Sequence, residues 1–479
     1  MSQPSILEIV RDAMRPVAKL VRSFDGLIRV VSHYDADGIT AAGIMTRALI
    51  KDGKRFRLSF VKGINSEVFT ELEHEGMVII LDMGSGQLEA IKKMAANVII
   101  LDHHITPELA KTFKKGGEGG TDADPEQREF EVIETEQGRV YEFNCHKFGI
   151  DGSYEACGAS LAYAFATAMS RMNSSSSAIA SAGIHGDHQS QPLVGLNEGV
   201  IQEGVGQGYI QEKKNTLFLD GETVRDALNY SVDPYFPGLT GREGKVSEFL
   251  NECGFDGSKA PSELSLEQCR HLTNKLMLIH LKNNAPPEAI ERLVGTRYFL
   301  SEFSMFSDTL SNRLNACGRM DWMTTGVAAC LGEEMAMTKA GKLREKHRST
   351  IRNGLVYLES RGIKGMDHIQ YFFNNDPASS GAFAGLGIQY LFDRDLPIVA
   401  LSKKEGKVHI SSRGTRELVD RGLNLSVAMR EAAQNVGGHG GGHPVASGAT
   451  IPDGKEMEFL GLVNGIVGQQ FIEREKERT

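Results

Sequence analysis

Three stretches decide the fold: Gly26-Leu-Ile-Arg-Val-Val-Ser-His33-Tyr34-Asp35-Ala-Asp37-Gly38, Met77-Val-Ile-Ile-Leu-Asp82 and Val98-Ile-Ile-Leu-Asp102-His103-His104. Each is a short apolar run, rich in Val and Ile, that stops abruptly at polar residues. Runs of that length and composition read as buried strands. A helical pattern follows the first over Thr40–Ile50, and another lies between the second and third over Gln87–Ala95. Strand alternating with helix predicts an α/β fold with a doubly wound, mainly parallel sheet. The carboxyl ends of the strands form the ligand crevice in such sheets. The polar residues Ser32 to Asp35, Asp82 and Asp102 to His104 fall there.

Their chemistry points to metal. Alternation in an extended segment would put His33, Asp35 and Asp37 on one side, with Gly38 allowing a close turn into the next helix. Asp82 and the Asp102-His103-His104 triplet end the next two strands, and Gly183-Ile-His185-Gly-Asp187 supplies a fourth acidic cluster. An aspartate at a strand end is, by itself, an ordinary helix cap; the ordered recurrence of such clusters is what singles out a site. Mixed carboxylate and imidazole ligands suit Mn²⁺, with Mg²⁺ as second choice, over Ca²⁺. There are enough of them for two ions, and a pair ~3.5–4 Å apart can clamp a phosphodiester and activate water.

A chain of 479 residues is too long for one core, and its net charge of −9 argues against a surface that grips phosphates everywhere. Nucleic-acid contact would therefore use a local basic strip or a bound cation. Lys339, Lys342, Arg344, Lys346, Arg348 and Arg352 face one acid, Glu345, along a linking helix; they form either a solvated face or such a strip. Six scattered cysteines without a C-x-x-C pair read as buried thiols, not a zinc knuckle. Met1–Leu20 carries Glu8, Arg11, Asp12 and Arg15 among apolar residues, which predicts an amphipathic helix, not a signal peptide. With no apolar run near the ~20 residues that span a bilayer, no membrane role and a cytoplasmic location are expected.

Gly116–Gly120 reads as a loop. Gly221–Val294 shows no ligand pattern, but has a helix start at Ser265 with Gln268, then Leu272, Leu276 and Ile279. Beyond Gly362 short strands such as Leu396–Ser402 and Lys407–Ser412 begin a second, smaller α/β lobe. The expected organisation is a domain over 1–330 with an inserted or appended helical region at about 221–294, a linker helix over 331–362, and a lobe over 363–479, with the active site in the cleft between domain and lobe.

The four clusters resemble motifs I to IV of the DHH phosphoesterase superfamily, whose third motif is Asp-His-His itself. Asn144-Cys-His146 and Gly149-Ile-Asp-Gly-Ser-Tyr-Glu-Ala-Cys-Gly158 are similar to the RecJ stretch between motifs III and IV, and Ser311-Asn-Arg-Leu-Asn-Ala-Cys-Gly-Arg319 to the segment ending its first domain. Gly440-Gly441-Gly442-His443, with Ser411-Ser412-Arg413, resembles the GGGH motif of the DHH-associated C-terminal domain. Gly437-Gly438-His439 offers a second register for that motif. The set resembles the archaeal RecJ-like, GINS-associated nucleases.

The resemblance implies that His33, Asp35 and Asp82 hold one metal ion and Asp37, Asp82, His103 and Asp187 the other. His104 would contact the phosphate and assist proton transfer, and Asp102 would orient the histidines. Ser411, Arg413, Gly440, Gly441, Gly442, His443 and Arg319 would bind substrate. In bacterial RecJ the first-motif histidine lies four residues before the first Asp; that position is Val31 here, and His33 lies two before Asp35. The implied activity is exonucleolytic cleavage of single-stranded DNA or RNA from a terminus, in replication or repair, alongside the GINS complex and through it the replicative helicase. The alternatives are a phosphodiesterase for very short oligonucleotides or cyclic dinucleotides, and a replisome scaffold; a family-II pyrophosphatase would lack the GGGH lobe.

Overall fold

The computed structural model describes residues 4–63, 76–94, 96–106, 109, 130–135 and 138–478. The Gly116–Gly120 loop and Ala95 lie outside the described residues. The chain forms two compact units, Met1–Lys214 with Thr296–His347, and Asn215–Gly295 with Arg348–Thr479.

The first unit is built on β1 (Ile28–His33), β2 (Phe56–Val61), β3 (Met77–Leu81), β4 (Asn97–Asp102), β5 (Glu131–Glu134) and β6 (Arg139–Asn144), in the order β2-β1-β3-β4-β6-β5. All neighbours are parallel except β5 and β6. Successive side chains of a strand point to opposite faces. Val30, Ile79, Leu81, Ile99 and Leu101 accordingly enter one core, and Val31, Val78, Ile80, Val98 and Ile100 another. Burial on both faces explains why these strands read as unbroken apolar runs. Around them lie α1 (Ile6–Ser23), α2 (Ala36–Lys51), α3 (Gly158–Met169), α4 (Ser177–Gly186) and α5 (Gly195–Gly206). The amphipathic α1 starts on a Ser5–Glu8 capping box and buries Leu7, Val10, Met14, Val17 and Val21. Strand order reverses between β1 and β3, the switch point at which doubly wound sheets bind ligands.

The second unit holds α6 (Leu266–Lys282). It starts on the capping box of Ser265 and Gln268, and Leu272 and Leu276 are buried in a local core. The first unit resumes with α7 (Ser307–Arg319), and α8 (Glu334–Arg361) carries the chain from one unit into the other. The second sheet contains β7 (Lys364–Gly365), β8 (Gln370–Asn374), β9 (Ile398–Lys404), β10 (Lys407–Arg413), β11 (His439–Gly442) and β12 (Ala446–Pro452), in the order β7-β8-β9-β10-β12-β11. Its helices are α9 (Pro377–Tyr390), α10 (Leu425–Asn435) and α11 (Glu456–Arg478).

By packing, residues 215–295 group with the C-terminal lobe and not with the first sheet. Tyr235 and Ala289 share a core with Ile351, Leu355, Phe372 and Phe383. Tyr235 Oη donates to Glu359 at 2.6 Å, and Tyr390 Oη to Asp233 at 2.6 Å. Arg348 caps the carbonyls of Tyr230 and Asp220, and Arg352 lies 4.3 Å from the Tyr230 ring centroid. Part of the basic run on α8 therefore serves packing. Of the cysteines, Cys145, Cys157, Cys317 and Cys330 are buried, whereas Cys253 and Cys269 are half-buried. No helix among the described residues is long and apolar enough to cross a membrane.

His280 is fully buried between the rings of Phe236 and Tyr390, at centroid distances of 5.1 and 5.4 Å, and neither ring nitrogen has a hydrogen-bond partner. Burial pushes its pKa down to about 4. The native state thus holds a neutral imidazole. Its stability is intact above the unfolded pKa of ~6.5 and declines as pH falls toward the folded value. Chemical denaturation should show a loss of roughly 2 kcal/mol from this group between pH 7.5 and 5, absent in His280→Leu; equal pH dependence in parent and variant would refute this.

Candidate metal centre

β1 ends at His33 and α2 begins at Ala36, so the extended alternation expected through Asp37 gives way to a helix. Asp35 is the N-cap of α2 and accepts from the Gly38 N–H at 3.0 Å, while Asp37 lies in the first turn. The two carboxylates consequently serve different parts of one site. His33 Nδ1 lies 2.9 Å from Asp35 Oδ2 and 3.5 Å from Asp82 Oδ2. His103 Nε2 lies 3.2 Å from Asp82 Oδ1 and 3.9 Å from Asp37 Oδ2, and its Nδ1 lies 3.7 Å from Asp187 Oδ2.

Among the described residues, three groups have ligand atoms within 4.8 Å of one another: His33, Asp35 and Asp82; Asp82, His103 and His104; and Asp37, His103 and Asp187. Asp82 and His103 each belong to two of them.

The local backbone is shaped to this end. Asp82 follows β3 with φ 59°, a left-handed conformation that non-glycine residues rarely take, while its N–H donates to Leu101 O at 2.8 Å. Asp37 is buried, and its carboxylate accepts the N–H groups of Gly158 and Ala159 at 2.6 and 2.8 Å, at the start of α3. Exposed backbone donors and the helix dipole both favour negative charge there. A Cβ on Gly158 would meet Asp82 Cβ at 2.7 Å and Asp37 Oδ2 at 2.9 Å, so only glycine lets α3 come this close. Asp102 accepts from Ser85 N at 2.9 Å, and from His104 N and Nδ1 at 3.0 and 2.8 Å. Asn144 ties Ser85 Oγ to His104 O.

Electrostatics fit a divalent cation. Burial, then the Asp82 and Asp187 carboxylates, push Asp37 well above the usual range. Burial, with Asp82 and Asp35, pushes Asp187 up to about 6 against the pull of His103. Burial opposes ionisation of Asp82, yet close contacts from His103 and His33 hold it low. Burial also opposes charge on His33, but Asp35 and Asp82 raise it to about 10. These histidines carry protons because the carboxylates need positive charge nearby, a role a metal ion fills while using the same nitrogens as ligands. His33 Nδ1 and Asp82 Oδ1 are buried among close ionic neighbours but make no well-aligned hydrogen bond, as groups awaiting coordination would be.

Of the other expected site residues, Arg319 lies beside Tyr34, with Nη1 3.5 Å from its Oη. Ser411, Arg413, Gly440, Gly441, Gly442 and His443 belong to the second unit. There Ser411 and Gly441 both pair with Gly448, which lines β10, β12 and β11 up across the sheet. A Cβ on Gly440 or Gly442 would meet neighbouring atoms under 3 Å away, whereas one on Gly441 would enter open space. His439 and His443 bracket this glycine run, His439 pairing with Thr450 and the His443 N–H donating to Ala446 O at 2.9 Å. Sequence reasoning missed Ser85 and Gln189, polar residues without a motif of their own, which meet Asp102 and Asp187 only in the fold, and Asn197, which stands behind Gln189.

Comparison with known proteins follows the same lines. Residues 27–116 match the DHH family, N-terminal domain, residues 368–469 the DHHA1 domain, and residues 220–294 the DHH-CID domain. An uncharacterized protein of Methanocaldococcus jannaschii is 31% identical over 471 residues, covering 97% of this chain and 99% of its own. The chain belongs to the DHH phosphoesterase superfamily. Its fold is RecJ-like: the crystal structure of exonuclease RecJ bound to manganese aligns over 96% of both chains with TM-score 0.56 and 15% identity. CDC45 from Entamoeba histolytica aligns over 96% of this chain and 98% of its own with TM-score 0.63 and 13% identity. In this DHH protein the DHHA1 match contains Ser411, Arg413 and the glycine run, and the DHH-CID match coincides with the helical region around α6.

Asp187→Asn keeps an acceptor for its neighbours but removes one crowded negative charge. In excess chelator the variant should melt no lower than the parent. Mn²⁺ at about 100 times its Kd should raise the parent's Tm by roughly 5–10 °C and the variant's far less. Equal Mn²⁺ responses would count against Asp187 as a ligand.

Proposed function

We propose that this protein is a metal-dependent exonuclease that hydrolyses phosphodiester bonds of single-stranded DNA or RNA from a terminus. One observation carries the reading. The carboxylates of Asp35, Asp37 and Asp187 and the imidazoles of His33, His103 and His104 gather around buried Asp82 at the switch point of the first sheet. His33, Asp35 and Asp82 would hold one divalent ion, and Asp37, Asp82, His103 and Asp187 a second, with Asp82 common to both. Mn²⁺ suits this donor set best, Mg²⁺ next. Bound there, the ions supply Lewis-acid charge against the phosphodiester and make water a better nucleophile.

The chain's own groups do the rest. Asp102 holds His104 through Nδ1, and the His104 side chain is more than half exposed; its Nε2 is left to hydrogen-bond a phosphate oxygen. Arg319, beside the first-motif Tyr34, would take a neighbouring phosphate. In the second unit Arg413, whose Nη1 donates to the Ser412 carbonyl at 2.9 Å, would set its guanidinium charge against a terminal phosphate. The backbone at Gly440–Gly442 allows close approach, and Ser411 and His443 complete the subsite.

A place in DNA replication or repair, in association with the GINS complex and through it the replicative helicase, is part of the proposal, as is a cytoplasmic location. The likeness of fold to RecJ and CDC45 supports it. Residues 220–294 are the proposed docking region, since α6 leaves Leu278 and Leu281 exposed, at 50% and 57%. The fold likeness to CDC45 favours a scaffold as second reading; a site this fully furnished with ligands favours catalysis.

Strands labelled separately at each end, in DNA and RNA versions, test the activity and its polarity. Excess chelator should abolish cleavage and Mn²⁺ restore it. Asp82→Ala should cost several orders of magnitude in rate with the circular dichroism spectrum unchanged. Full activity in excess chelator would overturn the proposal. For the partner, Leu278→Lys with Leu281→Lys should end co-purification with GINS and spare cleavage of short strands; undiminished GINS binding would place the interface elsewhere.

A further inference from the structure

Asp187 and His103 come from different segments, and a buried amide joins them. Gln189 is 3% exposed, and its Nε2 donates both to Asp187 Oδ2 at 2.6 Å and to the Gly152 carbonyl at 2.8 Å. The same carbonyl faces His103 Nδ1 at 2.7 Å. A carbonyl only accepts, so Nδ1 must carry the hydrogen, which turns the other ring nitrogen toward Asp82 and Asp37. The Gly152 carbonyl is available because residue 152 has no side chain; a Cβ there would meet His103 O at 1.9 Å.

The orientation of the Gln189 amide follows from chemistry. Both neighbours of Nε2, a carboxylate and a carbonyl, are acceptors, so the amide nitrogen has to lie between them. Gln189 Oε1 must then face a donor, and it faces Asn197 Nδ2 at 2.7 Å. Asn197 is fully buried in the first turn of α5, where its N–H donates to Glu155 O at 3.0 Å. Turning the Asn197 amide over would set oxygen against oxygen and force Gln189 to turn as well, presenting its oxygen to Asp187.

We propose that Gln189 is a positioning residue that fixes Asp187 and His103 together for metal binding, and that Asn197 acts one step further out by setting the direction of the Gln189 amide. Neither residue supplies a ligand. The inference rests on Asp187 and His103 being metal ligands, as proposed above. Hydrogen-bond partners of metal ligands typically contribute 10–100-fold in affinity.

The test is calorimetric Mn²⁺ binding to the full-length, metal-free chain, with melting temperature followed alongside. Gln189→Leu, which removes the donor, and Asn197→Asp, which reverses the hydrogen bond, should each weaken Mn²⁺ binding 10–100-fold. The double variant should be no weaker than the worse single one, because both act through one amide. Gln189→Glu keeps the size of the side chain; it should fold and still lose affinity, and it decides the matter if the leucine variant does not fold. Asp82→Asn runs in parallel. If Mn²⁺ fails to bind the parent, or binds Asp82→Asn equally well, the metal-site reading itself fails. If Asp82→Asn loses Mn²⁺ while folded Gln189 and Asn197 variants bind within about twofold of the parent, the positioning role is overturned, and so it is if their melting temperature falls with affinity unchanged.

Discussion

Burying several carboxylates side by side is among the most costly things a protein can do, because each loses its hydration and repels the others. Asp37 and Asp82 are almost fully buried here, with Asp35 and Asp187 close by. Much of the first unit serves to make that tolerable. The start of α3 offers two backbone N–H groups to Asp37. The imidazoles of His33 and His103 hold protons against Asp82. Asp102 is tied to Ser85 and His104 and kept out of the repulsive group. What remains is an excess of negative charge, with two buried ligand atoms, His33 Nδ1 and Asp82 Oδ1, left without a well-aligned hydrogen bond. A cation meets both needs at once.

The same constraint makes an acidic chain compatible with the nucleic-acid substrate proposed above. The net charge of −9 includes the residues that would be neutralised by metal. Local cations would then suffice for the proposed substrate: Arg319 beside Tyr34 in the first unit, and Arg413 in the second. The basic run on α8 contributes less than its composition suggests, since Arg348 and Arg352 are engaged with residues 220–230 and Lys339 lies 3.0 Å from the centroid of the Trp322 ring.

Rigidity at the site comes from polar groups that have no freedom to exchange donor and acceptor roles. A carbonyl cannot donate, and a carboxylate so close to an amide nitrogen has to accept. The chain from Asn197 Nδ2 through Gln189 to Gly152 and His103 therefore has one arrangement in which every donor along it meets an acceptor, with Asn197 Oδ1 outside it and unpartnered. Neutral hydrogen bonds of this kind can fix the direction of charged ligands without adding charge to a region that already has too much.

How much of this could be read in advance divides along physical lines. The amino-acid sequence by itself determined the parallel sheet, because strands buried on both faces must be apolar throughout, as Met77–Leu81 and Val98–Leu101 are. It also pointed to His33, Asp35, Asp82 and the Asp102–His104 triplet lying close together, because strand ends of a doubly wound sheet share one edge, and it showed the capped start of α6 at Ser265. The edge strands β2 and β5 and the interior strand β6 escaped notice; β2 and β5 are half-buried or exposed and carry no continuous apolar run. Tertiary structure alone decided that Asp35 caps a helix while Asp37 turns to meet α3, since a switch from strand to helix between them changes every side-chain direction. It decided that residues 215–295 pack with the C-terminal lobe, through Tyr235 and Tyr390, residues distant in sequence whose burial leaves no periodic trace. And it decided the parts played by Gln189 and Asn197, because a hydrogen bond between segments depends on position in space and not on any spacing along the chain.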